Sequence, residues 1–348
     1  MYKKSKIQMR NYIILTLALV AFSSCNGQTN KNTETKQSIS NAKNRKNLNE
    51  TANGIIYFSF DNGNIWKNAS SGLPQKVSIG LGGVAISERL LGIAIKKHGV
   101  YMYNFNDSIW VGIPTDKQIL ANNIGALSFY QGAIYVGTQH KGVFYSNDNG
   151  KTWTTQNSGL NNLTIRRFFE FENKLYVCTN DGFYSLNIKS ISWKLEYGHN
   201  LLQVNGATVF KGSFYIATSK GVYKNDNDDW KNILPTHSVH NISSAGEQLY
   251  AMTYNELFVS SNNGITWQSA QDGLPKNLYT FNVLSQNNVA FAGQWDGVYK
   301  KANFDSAWKQ SSNGLPANFA TTNLNSYNGI LVITTSERKL RAGMTMEK

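Results

Sequence analysis

The chain has few cysteines and few charged side chains, and each shortage excludes a class of protein. Its two cysteines, Cys25 and Cys178, follow no Cys/His spacing, which argues against a disulfide framework and against a metal site. Charged residues make up only 16% of the 348 residues and form no basic run in the folded part. Nucleic-acid binding is therefore not expected, despite a formal net charge of +13, and no motif indicates a cofactor.

Amphipathic helices and long apolar runs are also missing. The apolar core of residues 13–22 is too short to span a bilayer comfortably, and it follows a basic N-terminus, which is the order of an export signal. A cysteine directly after two serines resembles a bacterial lipobox. Residues 1–25 are therefore predicted to be a signal peptide that ends at a lipidated Cys25. The alternative is an ordinary cleaved signal with an incidental cysteine.

Residues 26–54 consist almost entirely of Asn, Lys, Thr, Ser, Gln and Glu, without apolar periodicity. This composition predicts a disordered tether, which at this length has a reach of about 30 Å. A folded domain would then be held just off a membrane. We expect an exported protein that is lipid-anchored in the bacterial cell envelope, at the outer membrane, on either its periplasmic or its surface face.

From residue 55 onward the chain repeats, and a tryptophan recurs every 37 to 44 residues. This period is typical of four-stranded propeller blades. Alternation of aromatic or branched side chains with small ones, together with 29 Gly and only 5 Pro, predicts strands and turns. The recurring tryptophans are Trp66, Trp110, Trp153, Trp193, Trp230, Trp267 and Trp308.

The two ends of the repeating region predict how the ring closes. Residues 54–58 match the third strand of other repeats, whereas the chain finishes with a first and a second strand. One blade would combine both ends, which pairs edges that are otherwise open. We therefore predict that residues 55–348 form one all-β domain, a monomeric seven-bladed β-propeller of four-stranded antiparallel blades.

A polar turn with the pattern Ser-x-Asp-x-Gly-x-x-Trp occurs three times, with Asn in place of Asp in the last copy. Its Ser and Asp side chains can bond backbone N–H groups, its Gly accepts a positive φ, and its Trp fills the following sheet. This is a structural role, so we assign no catalysis to its acids. The turn residues are Ser59, Asp61, Gly63 and Trp66; Ser146, Asp148, Gly150 and Trp153; Ser260, Asn262, Gly264 and Trp267.

These turns resemble the Asp-box, or BNR, repeats of sialidase-like β-propellers, over residue 55 to about residue 335. The resemblance implies that the turns join third and fourth strands, away from the active face. It also implies that a sialidase would need three arginines from different blades to hold a carboxylate. Few arginines follow the tether, and adjacent Arg166 and Arg167 are predicted to point to opposite faces of one strand. Sialidase activity is therefore not expected.

Function is expected on the opposite face, where the loops between second and third strands differ from blade to blade. Trp295 is the most suggestive residue, because it is out of the tryptophan register and is predicted to be exposed. The alternative is that it packs against a neighbouring loop. The candidate ligand-binding residues of this rim are Trp295, Asp296, Gln294, Tyr254, Asn255, His140, Asp181 and His98.

Two pairs of residues in this rim suggest a specific function, metal binding for one pair and hydrolysis for the other. His98 and His140 lie in equivalent loops of adjacent blades and would suit a metal, although solvated turn residues are commoner. Asp181 and Asp296 would suit glycoside hydrolysis, but the sequence does not determine their separation.

We therefore predict that the chain is a non-catalytic binding or scaffold module for a glycan or an envelope protein. One alternative is a glycoside hydrolase of the sialidase or endoglucanase type. Another is an assembly or stability factor for an envelope complex.

Overall fold

The computed structural model describes residues 54–335, except residues 76, 188, 190, 237, 277, 303 and 304. All of them belong to one compact unit, residues 48–348. The predicted signal peptide with Cys25, and nearly all of the predicted tether, lie outside the described residues. Within the described part of the chain, no helix is long and apolar enough to cross a membrane.

In the part of the chain that the structure describes, the fold is all-β apart from one short helix. In the described residues, strands form seven antiparallel sets of four. In chain order they are β1 (Ile56–Ser59), β2 (Lys67–Asn68), β3 (Ile79–Ile86), β4 (Leu91–Ile95), β5 (Gly99–Asn104), β6 (Ile109–Gly112), β7 (Ile124–Tyr130), β8 (Ala133–Thr138), β9 (Val143–Ser146), β10 (Thr154–Thr155), β11 (Ile165–Phe171), β12 (Lys174–Thr179), β13 (Gly182–Asn187), β14 (Ser192–Gly198), β15 (Val204–Phe210), β16 (Ser213–Thr218), β17 (Gly221–Asp226), β18 (Asp229–Leu234), β19 (Val239–Ala245), β20 (Gln248–Thr253), β21 (Leu257–Ser260), β22 (Gln268–Ser269), β23 (Asn282–Gln286), β24 (Val289–Gln294), β25 (Gly297–Ala302), β26 (Lys309–Gln310), β27 (Asn323–Tyr327) and β28 (Ile330–Thr334).

The sets follow one another around a ring. Their innermost strands, β3, β7, β11, β15, β19, β23 and β27, each contact the next, and β27 contacts β3. Strands β3 and β7 lie close enough for one parallel backbone pair, Gly82 with Ala126, which joins their two sets into one sheet. This is the β-propeller architecture that the tryptophan period predicts.

The ring closes as the sequence predicts. Strand β1, from the start of the described chain, pairs antiparallel with β28 from its end, and Ile56 lies opposite Thr334. The closing set therefore has the order β2-β1-β28-β27, with inner strands from the C-terminal side and outer strands from the N-terminal side. Because both edges are paired, neither remains open.

The three polar turns that end in Trp66, Trp153 and Trp267 have the hydrogen bonds predicted for them. Ser146 Oγ accepts from the Gly150 N–H at 2.8 Å and donates to Asp148 Oδ1 at 2.8 Å, and that carboxylate accepts from the Thr152 N–H at 2.9 Å. Gly150 has a φ of 85°. The turns that begin at Ser59 and Ser260 have the same bonds and join third to fourth strands.

Most of the recurring tryptophans join one set of strands to the preceding set through a hydrogen bond from the indole N–H. The indole of Trp193, for example, donates to the Gln156 backbone oxygen at 2.8 Å, and its own backbone lies against Gly159. A Cβ on Gly159 would lie 2.0 Å from the Trp193 oxygen, so only glycine fits. Equivalent indole bonds are made by Trp66, Trp110, Trp153 and Trp308.

Helix α1 (Lys117–Ala121) is a difference from the sequence prediction, which contained no helix. Asp116 caps its start by accepting from the Gln118 N–H at 2.7 Å, and Ile119 is buried in the core beneath it. Five residues make little more than one helical turn. Such a segment is too short to produce an apolar period in the sequence.

Candidate binding cavity at the centre of the ring

A cavity of about 630 Å³ opens where the innermost strands begin. Its wall comes from the starts of β3, β7, β11, β15 and β19, from loops between second and third strands, and from the linker before β23. It therefore lies on the face that the sequence predicts for function, opposite the polar turns that join third and fourth strands. Aromatic rings, amides and two guanidiniums line it, and its wall contains no carboxylate among the described residues.

The cavity wall is shaped by a bulge that recurs in the innermost strands. In β7, β11, β15 and β19 the pairing with the second strand skips one residue near the strand start. The skipped residues are Gly125, Arg166, Asn205 and His240, and all four line the cavity. A bulge redirects the side chain of its extra residue, so Arg166, Asn205 and His240 occupy the same position in three blades and all line the cavity.

Arg166 and Arg167 both line the cavity, so the prediction that they point to opposite faces is wrong. The strict alternation of a strand fails here because Arg166 is the bulged residue. Arg166 Nη1 donates to Asn180 Oδ1 at 2.9 Å. Arg167 Nη1 donates to the Leu81 oxygen at 2.8 Å, and its Nε donates to the Asn205 oxygen at 3.0 Å.

The electrostatics of this arginine pair follow from its burial. Removal from water lowers the pKa of Arg167 to about 10; Cys178 opposes this shift, and the neighbouring charge of Arg166 contributes to it. Burial also lowers the pKa of Arg166, whereas nearby Tyr254 and Cys178 oppose that shift. Both guanidiniums remain charged at neutral pH, which makes the cavity electropositive.

Aromatic rings also line the cavity. Tyr279 contacts His240 edge to face at a centroid distance of 4.7 Å, and it contacts Tyr254 and Trp295 edge to face at 5.4 and 5.6 Å. Phe281 packs beneath Trp295 at 5.0 Å. Tyr254 is 51% exposed and stands at the mouth, so the cluster presents one free aromatic surface above a buried base.

The prediction that Trp295 is exposed is wrong, because only 6% of its surface is accessible. It lies in the turn between β24 and β25, where Leu278, Tyr279, Phe281 and Ala320 cover it. The packing alternative is therefore the correct one for its position. Trp295 still lines the cavity, so its side chain forms part of the wall and not of an outer rim.

Three other predicted rim residues form hydrogen bonds with neighbouring side chains. Gln294 is fully buried and donates to Thr280 Oγ1 at 2.5 Å. Asp296 accepts from the Tyr299 hydroxyl at 2.8 Å. Asp181 accepts from Thr179 Oγ1 at 2.6 Å and from the Tyr184 hydroxyl. Neither carboxylate belongs to the cavity wall, so the hypothesised hydrolase pair is not assembled there.

The remaining predicted residues, Asn255, His98 and His140, are exposed and lie outside the cavity wall. Within the described chain, no three His, Cys, Asp or Glu side chains are grouped to hold a metal. Of the eight predicted rim residues, the structure therefore brings only Tyr254 and Trp295 together in the cavity.

The sequence analysis missed the polar residues that the innermost strands contribute, chiefly Arg167, Asn205 and His240. Their common signal is position, because each lies one or two residues after a buried Ile or Val that starts a first strand. Aligning the repeats on that apolar residue, instead of on the tryptophan, would have placed them together.

No protein-family model and no curated protein sequence matches the chain, whereas solved structures match its fold. YCF48 bound to D1 peptide has a TM-score of 0.60 at 11% identity and covers 76% of this chain and 96% of that chain. The BT4673 extracellular domain from B. thetaiotaomicron has a TM-score of 0.62 at 16% identity, over 80% of this chain and 39% of that chain. PorZ, a surface component of the Porphyromonas gingivalis type-IX secretion system, has a TM-score of 0.53 at 10% identity, over 72% of this chain and 34% of that chain.

Proposed function

We propose that the chain is an exported binding module that holds a segment of a partner protein at the central cavity. The observation that carries the proposal is the wall itself, in which the rings of Tyr254, Tyr279 and Trp295 line the same cavity as two guanidiniums. Ligand pockets combine apolar and aromatic walls with a few placed polar groups in this way. A cavity of about 630 Å³ is large enough for one or two side chains of a bound peptide.

Two further facts support a protein partner. Tyr254 is half exposed at the mouth, where a rigid amphipathic ring costs little entropy when it is covered. YCF48, which has the same architecture, was solved with a peptide bound. At 11% identity that likeness concerns the fold, so it supports the class of ligand and not its sequence.

The proposal includes the anchor and the tether. Cys25 would be lipidated at the outer membrane, and residues 26–54 would lead to the ring, which would be a sialidase-like propeller with Asp-box turns.

A glycan is the second candidate ligand. The half-exposed ring of Tyr254 lies in the same wall as the amide of Gln139, and aromatic faces beside amides suit a sugar ring. This candidate predicts binding to a glycan array in preference to peptides.

The experiment compares wild type with Tyr254→Ala on an array of random peptides and on a glycan array. Phe60→Ala is the matched control, because Phe60 is 62% exposed on the opposite face. The proposal expects wild type and Phe60→Ala to retain the same subset of peptides. Tyr254→Ala should lose most of that binding, because the ring at the mouth is gone.

Two results would contradict the proposal. If the wild-type protein retains no peptide, it has no peptide site of this kind. If Tyr254→Ala retains the same peptides as wild type, they bind somewhere other than the cavity mouth.

A further inference from the structure

The two arginines of the cavity have no acidic partner in the described part of the chain. The ion pairs found there are all formed by lysines, and none includes Arg166 or Arg167. Both guanidiniums are partly removed from water. A buried charge is normally paired with an opposite charge, because desolvation is otherwise uncompensated.

Arg167 is held in place by neutral groups only. Its Nη1 and Nε bind backbone oxygens of Leu81 and Asn205, which belong to the innermost strands of two other sets. Its Nη2 is enclosed and has no hydrogen-bond partner in the described residues. Two backbone oxygens therefore fix the position of the side chain. Its Nη2 has no hydrogen-bond partner, and its positive charge has no negative partner, among the described residues.

A second unused donor lies in the same wall. Trp295 is buried, and its indole Nε1 has no hydrogen-bond partner in the part of the chain that the structure describes. Leu81, whose oxygen binds Arg167, packs on the aromatic cluster that contains Trp295. Buried polar atoms rarely remain unpaired in native proteins, so these two donors support a ligand that brings an acceptor. Asn205 Oδ1 in the same wall also has no partner among the described residues, and it is the unpaired charge of the two arginines that makes the expected acceptor an anion.

We infer that the group recognised in this cavity is a side-chain carboxylate of an acidic peptide segment, bound by Arg166 and Arg167 with the Trp295 indole. This inference rests on the proposed function and names its ligand chemistry. A carboxylate supplies both the missing negative charge and acceptor oxygens for unused donors. Its planar shape matches the guanidinium fork, and the aromatic rings accommodate the aliphatic part of a Glu side chain.

The test uses acetylated and amidated peptides, so that only side chains carry charge. Each acidic peptide retained on the array is paired with a version in which every Glu and Asp becomes Gln and Asn. Dissociation constants are measured calorimetrically at low and high salt. We expect the acidic member to bind at least about tenfold more tightly, and salt to reduce that preference.

Variants then show which side chains bind the carboxylate. Arg166→Gln is the first variant. Arg167 also holds strands together, so its loss could unfold the protein, and the second variant is therefore the conservative Arg167→Lys. Lys151→Gln is the matched control, because Lys151 is exposed in an Asp-box turn on the opposite face. Arg166→Gln should reduce the acidic preference about tenfold, whereas Lys151→Gln should preserve it.

The outcomes separate the two proposals. If acidic and neutral peptides bind equally well, the carboxylate inference is overturned and the peptide-binding function stands. If wild type binds neither, the proposed function itself fails. An acidic preference that survives in both arginine variants also overturns the inference. Stronger binding of an oligogalacturonate than of any peptide would contradict the peptide source of the carboxylate.

Discussion

Arg167 Nη1 lies 2.8 Å from the backbone oxygen of Leu81, although 86 residues separate the two in the sequence. The bond joins β11 to β3 across the ring, and the Nε of the same side chain reaches β15. Similar bonds continue around the centre, where Asn205, Asn241, Asn282 and Asn323 each donate to a backbone oxygen in the next innermost strand or in the residue just before it. Side chains of the central strands therefore hold neighbouring blades together.

The first prediction concerns this ring of amides. Asn282 Nδ2 donates to the Thr322 oxygen at 2.8 Å, and its Oδ1 accepts from Asn241 at 3.1 Å, in a buried site. Asn282→Ala leaves the Thr322 oxygen without that donor, and it should lower the free energy of unfolding by about 1–3 kcal/mol. Asn255→Ala, at an exposed amide, should change it by less than about 0.5 kcal/mol. Urea denaturation measures both, and equal effects would contradict the structural role.

The second prediction concerns pH. Hydrogen bonds from the Thr152 N–H and hydroxyl, together with Ser146, lower the pKa of Asp148 to about 2. The unfolded chain has a pKa of about 3.9 and binds the proton first as the pH falls. The contribution of Asp148 to stability should therefore be complete above about pH 4 and be lost towards about pH 2.

Asp148→Asn provides the check. Asn262 fills this position in another turn with the same backbone bond, so the variant should fold and lose this part of the acid dependence. Denaturation curves at several pH values measure the difference between the two proteins. A carboxyl titration by NMR with a midpoint near 4 would contradict the prediction.

The third prediction separates steric fit from backbone strain at two glycines with positive φ, Gly273 in a linker between sets and Gly212 in the turn between β15 and β16. Gly273 has a φ of 84°, and a Cβ there would lie 2.1 Å from the Trp308 oxygen. Gly212 has a φ of 81° with nothing within 4 Å of the added atom. Gly212→Ala should cost about 1–2 kcal/mol of unfolding free energy, and Gly273→Ala about 1–3 kcal/mol more. Similar losses in thermal denaturation would show that close packing on Trp308 is unimportant.

The fourth prediction concerns the indole bonds. Trp308 Nε1 donates to the Ala270 oxygen at 2.9 Å, whereas the enclosed Nε1 of Trp267 has no partner in the described residues. Replacement by Phe costs packing at both positions, but only Trp308→Phe also leaves a carbonyl without its donor. Trp308→Phe should therefore destabilise the protein by about 1–3 kcal/mol more than Trp267→Phe. Calorimetry checks this, and an equal loss would exclude a role for the indole hydrogen bond.

The fifth prediction concerns the anchor. Cells that grow with radiolabelled palmitate should label the wild-type protein, and Cys25→Ala should abolish the label and release the protein from membranes. Cys178→Ala is the matched control, because that thiol is buried in β12 and should not affect labelling. Unlabelled wild type, or a Cys25→Ala protein that remains in the membrane fraction, would reject the lipoprotein assignment.

The features that the sequence determines by itself are local or periodic. The Ser146–Trp153 turn is specified by side chains that bond backbone groups within a few residues, and the strands are specified by alternation of side chains. The tryptophan period sets the size of a blade, and the match of residues 54–58 to a third strand predicts the closure through Ile56 and Thr334. Each signal is short-range or repeats, so no tertiary information is needed to read it.

Only the tertiary structure decides what meets at the centre of the ring. Arg166 and Arg167 share the cavity because a bulge interrupts the two-residue alternation, and that bulge forms only when the strand pairs with β12. Trp295 is buried because Tyr279 and Phe281, from the preceding linker, fold over it. The cavity joins residues from different blades, and their separation in space depends on how the blades pack and not on their spacing in the chain.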